Sequence, residues 1–470
     1  MSHSETPSAA GPGFPADQTA PDIHAEVSKS TLRKAIAASA MGNAVEWFDY
    51  GVYAVAATYI TLNFFPSDTG TGTVWTLATF ALSFLVRPLG GMFWGPLGDK
   101  FGRKGVLALT IILMAGSTFA IGLLPTHDQW GMFAPALLIL LRMIQGFSTG
   151  GEYGGAATFM AEYAPDKKRG FYGSFLEAGT LGGFALGSLI VLVTSVILGH
   201  EVMGEWGWRI PFLIAGPLGL IGLYLRSKLE DTPVFKEQEE QAAAAGADEH
   251  RGVWKELFTH YWKAMLIMGG LVIALNVVNY TLLTYMPTYL EHTVKLDPTV
   301  VLVVMFIGQF GMMICVPFFG GLSDKLRRKP FWIFSLVGLF VAAIPLYLLM
   351  GTGLLGSIIA FCVLGLLYLP QLATISATFP AFFPTHVRYA GFAITYNVAT
   401  ALFGGTAPMV NELLIEKTGF TLMPAVYMMG ACVVGLIAAI AMKDTTGVSI
   451  RTQPVSVVPA GTRIPAPGEA

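Results

Sequence analysis

Six ionisable side chains stand inside long apolar runs of this 470-residue chain: Glu46, Asp49, Arg87, Arg142, Glu152 and Glu177. Each costs about 2.5 to 3.5 kcal/mol at the centre of an apolar helix on insertion scales, so such groups are seldom kept without a use. Asn43, Glu46, Asp49 with Tyr50, and Tyr53 recur at spacings of three and four, which places them on one helix face. Arg142, Gln145, Thr149 and Glu152 repeat the pattern against Leu, Met, Gly and Ala, and Glu177 is followed by Thr180. Polar stripes of this kind face a water-filled cavity rather than lipid. A carboxylate there can take and release a proton, its charge state set by burial and by an approaching arginine. The same six groups also suit permanent salt bridges that fasten helices, Arg87 and Glu46 more than Arg142 and Glu152.

The second half carries neutral hydrogen-bonding groups and almost no buried charge: Asn276, Asn279, Tyr280, Gln371, Tyr396 and Asn397. Together with Trp47, Tyr50, Tyr53 and Gln145 these predict a substrate cavity. Its aromatic rings also suit plain packing or interface anchoring.

The elements that hold these residues must be membrane helices. Hydrophobic residues make up 54% and charged ones 12%, and the mean hydropathy is +0.60, values that no water-soluble globule of this length tolerates. Crossing about 30 Å of hydrocarbon takes roughly 20 residues. Twelve stretches qualify, near 35–63, 73–97, 105–124, 132–161, 171–198, 208–227, 263–290, 299–321, 331–350, 354–379, 389–414 and 422–442. The predicted fold is an all-α integral membrane protein of two six-helix bundles, 35–228 and 263–442. A disordered cytoplasmic arm (1–34), a cytoplasmic linker (229–262) that reads as helical and a short disordered cytoplasmic tail (443–470) complete it.

The bundles announce themselves by a repeat. Gly95-Pro-Leu-Gly-Asp99-Lys-Phe-Gly-Arg103-Lys104 returns 225 positions later as Gly320-Gly-Leu-Ser-Asp324-Lys-Leu-Arg-Arg328-Lys329. Positive-inside bias accounts for the basic residues but not for the acids, so Asp99, Arg103, Asp324 and Arg328 are read as a cytoplasmic gate of ion pairs and helix-end contacts. A second pair of loops keeps Pro165 with Arg169 and Pro384 with Arg388 four residues apart. Lys and Arg crowd the loops after even-numbered segments, which puts both termini in the cytoplasm.

A net charge of -2 gives no sign of nucleic-acid binding. Cys315, Cys362 and Cys432 lie in apolar runs with no CxxC spacing, so metal and disulfide readings are weak. Gly150-Gly151, Gly154-Gly155 and Gly182-Gly183 follow no strand and precede no Gly-Lys-Ser, so they read as helix-crossing points rather than phosphate loops. With no Walker sequence, haem-ligand pair or His cluster, the chain is read as a carrier and not an enzyme, with no cofactor and a proton gradient as energy source. Its expected partners are a small-molecule substrate, protons and the bilayer, without an obligatory protein partner.

Four runs resemble the metabolite:proton symporters of the major facilitator superfamily: Gly42-Asn-Ala-Val-Glu46-Trp-Phe-Asp49-Tyr, Arg87-Pro-Leu-Gly-Gly through Asp99 and Arg103, Arg142-Met-Ile-Gln145 through Glu152-Tyr-Gly-Gly, and Trp206-Gly-Trp-Arg209-Ile-Pro-Phe. The resemblance extends from about Leu32 to Lys443. Leu283-Thr-Tyr285-Met-Pro287-Thr-Tyr289-Leu and Phe383-Pro-Thr-His386-Val-Arg388-Tyr look most similar to the branch that carries proline and betaine. The resemblance implies proton-coupled uptake of a zwitterionic osmoprotectant across the inner, plasma membrane by alternating access, with Arg142 the candidate partner of its carboxylate and the rings of Trp47, Phe48, Tyr50 and Tyr280 each able to give its ammonium a cation–π contact of about 0.5 to 2 kcal/mol. Relatives similar at the first-half motifs carry alpha-ketoglutarate, citrate or shikimate, so an organic-acid symporter is the alternative, with an uncoupled facilitator or a transporter-like sensor further off. Two departures stand out: the tail lacks the heptads that some proline and betaine carriers link to osmotic sensing, and Arg327 replaces the Gly102 of the first charged turn.

Overall fold

A computed structural model of the chain describes residues 29–66, 71–101, 103–150, 152–230 and 250–447. All twelve expected segments are helical. In the first half, α1 (Lys29–Val55, continued by Ala57–Phe64), α2 (Gly72–Leu85, continued by Arg87–Phe101), α3 (Arg103–Leu123), α4 (Phe133–Ser148, continued by Glu152–Tyr163), α5 (Arg169–Val202) and α6 (Arg209–Glu230) follow in order. The second half contains α7 (Trp262–Thr293), α8 (Pro298–Leu326), α9 (Arg328–Met350), α10 (Leu354–Thr378), α11 (Thr385–Ala399, continued to Ala407–Thr418) and α12 (Met423–Ala441). Among the described residues, nine of the twelve are long and apolar enough to cross a membrane by length and composition alone. The apolar parts of α3 and α6 are shorter, and α1 carries the polar face of Asn43, Glu46 and Asp49.

The breaks have local causes. Pro88 lacks the N–H that Phe84 would bond in an unbroken helix, so α2 resets at Val86 and restarts at Arg87. Helix α4 leaves helical geometry after Ser148, at Thr149 and Gly150. π-helical turns at Thr281–Tyr285 in α7 and Thr400–Gly404 in α11 widen the helices where the halves meet.

The duplication is visible in the packing. In the first half α1 packs on α5 and α6, α3 on α6 and α4, and α2 on α4; in the second half α7 packs on α11 and α12, α9 on α12 and α10, and α8 on α10. Each pair recurs six helices later. The halves meet where α5 runs along α8, α2 touches α11 and α1 touches α7. Exposed Leu89, Met92, Ile197, Leu220, Phe318 and Val341 make an apolar exterior, as a hydrocarbon solvent requires.

The expected arm up to residue 28, linker residues 231–249 and the tail from 448 lie outside the described residues. Two boundaries are corrected. Helix α1 starts at Lys29, inside the expected arm. The tail begins anchored rather than free: Arg327 Nε meets Asp444 at 3.2 Å, and the Arg328 N–H donates to Thr446 at 2.8 Å.

Candidate functional site

Asp49 of α1 is the hub of the first half. Its carboxylate accepts hydrogen bonds from Arg142 at 3.1 Å and Gln145 at 3.0 Å, both on α4, and from Thr118 of α3 at 3.0 Å. Arg142 also donates to the Gln145 side-chain oxygen at 2.8 Å, and its guanidinium lies 4.0 Å from the Tyr53 ring centre. Tyr53 donates to the Thr76 carbonyl of α2. Four helices are therefore tied through one buried ion pair. This corrects two expectations: Arg142 already holds a carboxylate, so it is not the open partner for a substrate anion, and it is more firmly paired than Arg87. Glycine sets the geometry, since a methyl on Gly146 would fall 1.7 Å from the Ser83 carbonyl oxygen, so only glycine lets α4 come this close to α2.

Arg87 of α2 is buried in a different setting. It is 3% exposed and sits among aromatic rings, 4.3 Å from the centre of Phe84 and 5.0 Å from that of Tyr50, whose hydroxyl accepts its hydrogen bond at 2.5 Å. No carboxylate lies within ion-pair distance among the described residues, although buried Glu46 is within electrostatic range. Trp47 packs against Tyr50 at 5.4 Å, and Tyr280 from the other half closes the ring against Trp47, Phe80 and Phe84 at 6.5, 6.1 and 5.1 Å. The Arg87 Nε and Trp47 Nε1 donors are buried without hydrogen-bond partners. The sequence reading missed Phe80 and Phe84, whose four-residue spacing, continued three residues on to Arg87, marks one helix face.

Glu177 of α5 accepts from Tyr153 of α4 at 2.5 Å, and the Tyr153 ring stacks on Tyr396 of α11 at 4.8 Å. Asn43 donates to Thr180 and to the Leu176 carbonyl, locking α1 to α5 beside it. The neutral groups of the second half bond helix to helix: Asn276 donates to Thr400, Tyr368 to Asn279, and Asn397 to the Gly150 carbonyl across the halves. Gln371 donates to Ser335 between α10 and α9 at 2.8 Å. Nor is buried charge scarce there. Arg328 and Arg388 are 0% and 2% exposed, and Glu412 accepts from Tyr285.

At the second charged turn Asp324 accepts the backbone N–H groups of Gly170 and Phe171, at the start of α5 in the other half, at 2.8 and 2.9 Å, and pairs with Arg328 at 3.4 Å. A carboxylate on two free helix-start N–H groups is a favourable dipole contact. The side chains of Asp99, Arg103 and Glu152 lie outside the described residues. The opposite face is also closed: Thr58 donates to Glu291 at 2.8 Å, and His200 bridges Tyr59 and Thr299 at 3.0 and 2.8 Å. Beside it Asp297 caps α8; slight desolvation pushes its carboxyl up, and the N–H groups of Thr299 and Val300 hold it below the usual range. No cluster of three or more His, Cys, Asp or Glu side chains suited to a metal occurs among the described residues.

Two helix bundles related by repeat, closed on both faces around a buried charged and aromatic centre, define a membrane carrier. A profile of the Major Facilitator Superfamily matches residues 40–408, and the chain belongs to that superfamily of multi-pass membrane transport proteins. It is 46% identical over 429 residues to the glycine betaine/proline/ectoine/pipecolic acid transporter OusA of Dickeya dadantii and to the proline/betaine transporter of Escherichia coli strain K12, covering 89% of this chain and 85% of each relative. Among solved structures, the partially occluded inward-open xylose transporter XylE from E. coli is similar with a TM-score of 0.66 at 17% identity, over 90% of this chain and 100% of that one.

Proposed function

We propose that the protein is a proton symporter that takes a small zwitterionic osmoprotectant, proline, glycine betaine or a close analogue, into the cell by alternating access. The observation that carries this reading is Arg87: a buried guanidinium with no carboxylate partner among the described residues, ringed by Trp47, Tyr50, Phe84 and Tyr280. A substrate carboxylate would meet the guanidinium, and its ammonium the ring faces, a pairing suited to quaternary ammonium groups. The names of the 46%-identical relatives point to the same substrates. Buried carboxylates Glu46 and Glu177 are the groups through which a proton gradient would act, Asp49 being matched by Arg142. On this reading the chain catalyses no reaction and uses no cofactor or obligatory protein partner. It sits in the inner membrane with its termini and its charged turns in the cytoplasm.

The substrate site is tested by equilibrium binding of labelled glycine betaine and proline to the purified protein and to Arg87→Ala. Loss of a charge-assisted contact predicts binding at least tenfold weaker, about 1.4 kcal/mol or more. Unchanged affinity, or displacement of the label by alpha-ketoglutarate more readily than by proline, would favour the organic-acid reading.

A further inference from the structure

The buried carboxylates of the first half differ in company. Asp49 is neutralised in place by Arg142. Glu177 is 2% exposed, and its partners among the described residues are two hydroxyls, those of Tyr153 and Thr180, with no cation beside it. The counter-charge most readily available to a carboxylate in such surroundings is a proton.

Tyr153 connects this carboxylate to the other half of the molecule. Its hydroxyl donates to Glu177 on α5, while its ring stacks on Tyr396 of α11 at 4.8 Å and 20° between planes. Around that stack Asn397 donates to the Gly150 carbonyl, and Ala393 lies against Gly154. The stack is thus part of the contact that shuts the charged-turn side of the protein. Other groups that face the carboxylate carry no charge to compensate it: Thr180 on α5, Asn43 of α1 through Thr180, and Tyr396 and Tyr368 of α11 and α10 within electrostatic range.

We infer that Glu177 is the carboxylate that carries the transported proton, with Tyr153 positioning it and coupling its charge state to the Tyr153–Tyr396 stack. Ionised Glu177 accepts from Tyr153 and fixes the ring against Tyr396. When a proton arrives from the outer side, the acid O–H forms, the carboxylate no longer demands the tyrosine's hydrogen, and the ring is released from the stack. After the charged-turn side opens, the same O–H breaks, the proton leaves to water, and Glu177 recovers its charge and Tyr153. This rests on the symport reading above.

The experiment compares wild-type protein, Glu177→Gln and Tyr153→Phe in proteoliposomes loaded with proline. Proline exchange at equal pH on both sides is measured beside accumulation driven by an imposed proton gradient. Glu177→Gln is expected to lose gradient-driven accumulation by about tenfold or more while retaining exchange within about threefold. Tyr153→Phe keeps the ring but removes the hydroxyl that links it to the carboxylate, so accumulation is expected to fall severalfold, with the external-pH profile of what remains moved about one unit alkaline. Accumulation by Glu177→Gln at wild-type level overturns the proposal, as does an unshifted profile in Tyr153→Phe, whatever Glu177→Gln does to exchange. Wild-type protein that exchanges proline but ignores the gradient would instead defeat the symport reading itself.

Discussion

Two buried arginines near one centre do different work because their neighbours differ. Arg142 faces Asp49, Gln145 and Tyr53, and a charge so matched is structural. Removing one partner leaves the other buried and alone. Asp49→Asn should therefore destabilise the purified protein by about 3 to 5 kcal/mol, with Asp49→Asn combined with Arg142→Gln recovering much of the loss. Thermal unfolding in detergent measures this, and additive losses in the double variant would contradict it. The stripe Arg142, Gln145, Thr149 was legible from spacing, and so was the face of Asn43, Glu46 and Asp49. Which arginine the aspartate takes was not, because that depends on how closely α4 approaches its neighbours, fixed by Gly146 against Ser83. Hydroxyls such as Thr118 and Tyr153 were equally silent: one hydroxyl in an apolar run carries no spacing signal until its partner helix is in place.

At the scale of elements, the clamp of Asp324 on the start of α5 joins the halves on the charged-turn side. The acid in that motif stood out in the sequence, since insertion gains nothing from it, but its partners did not. They are the backbone N–H groups of Gly170 and Phe171, which carry no side-chain signature. Asp324→Asn keeps an acceptor oxygen and removes the charge, weakening the closed arrangement by about 1 kcal/mol. That is roughly a fivefold change in population. A reporter cysteine at Ser376, buried where α10 faces Gly173 of α5, is expected to react about fivefold faster with a water-soluble maleimide in that variant, in a background with Cys315, Cys362 and Cys432 replaced. An unchanged rate would show that Asp324 does not hold this face shut. The helix breaks follow the same division between legible and hidden, since Pro88 and Gly150 can be read directly, whereas the π-helical turns of α7 and α11 have no marker in the chain.

For the whole molecule, one repeated charged turn was enough to announce two bundles, and the packing of each helix pair six helices later bears it out. The expected division into a charged first half and a neutral second half was too simple. Arg328 and Arg388 are buried as fully as Arg142, but at the charged-turn end rather than the centre, where a hydropathy reading places such residues in loops. Hydrogen bonds join the halves on both faces, with Arg87 and its ring buried between them, the arrangement expected midway through alternating access. The most direct test of proton-coupled osmoprotectant uptake is accumulation of labelled glycine betaine and proline in proteoliposomes holding the purified protein, with an inward proton gradient imposed and then collapsed by a protonophore. Accumulation above the external concentration that vanishes with the gradient is the predicted result, and equilibration that ignores the gradient, or accumulation of alpha-ketoglutarate alone, would contradict it.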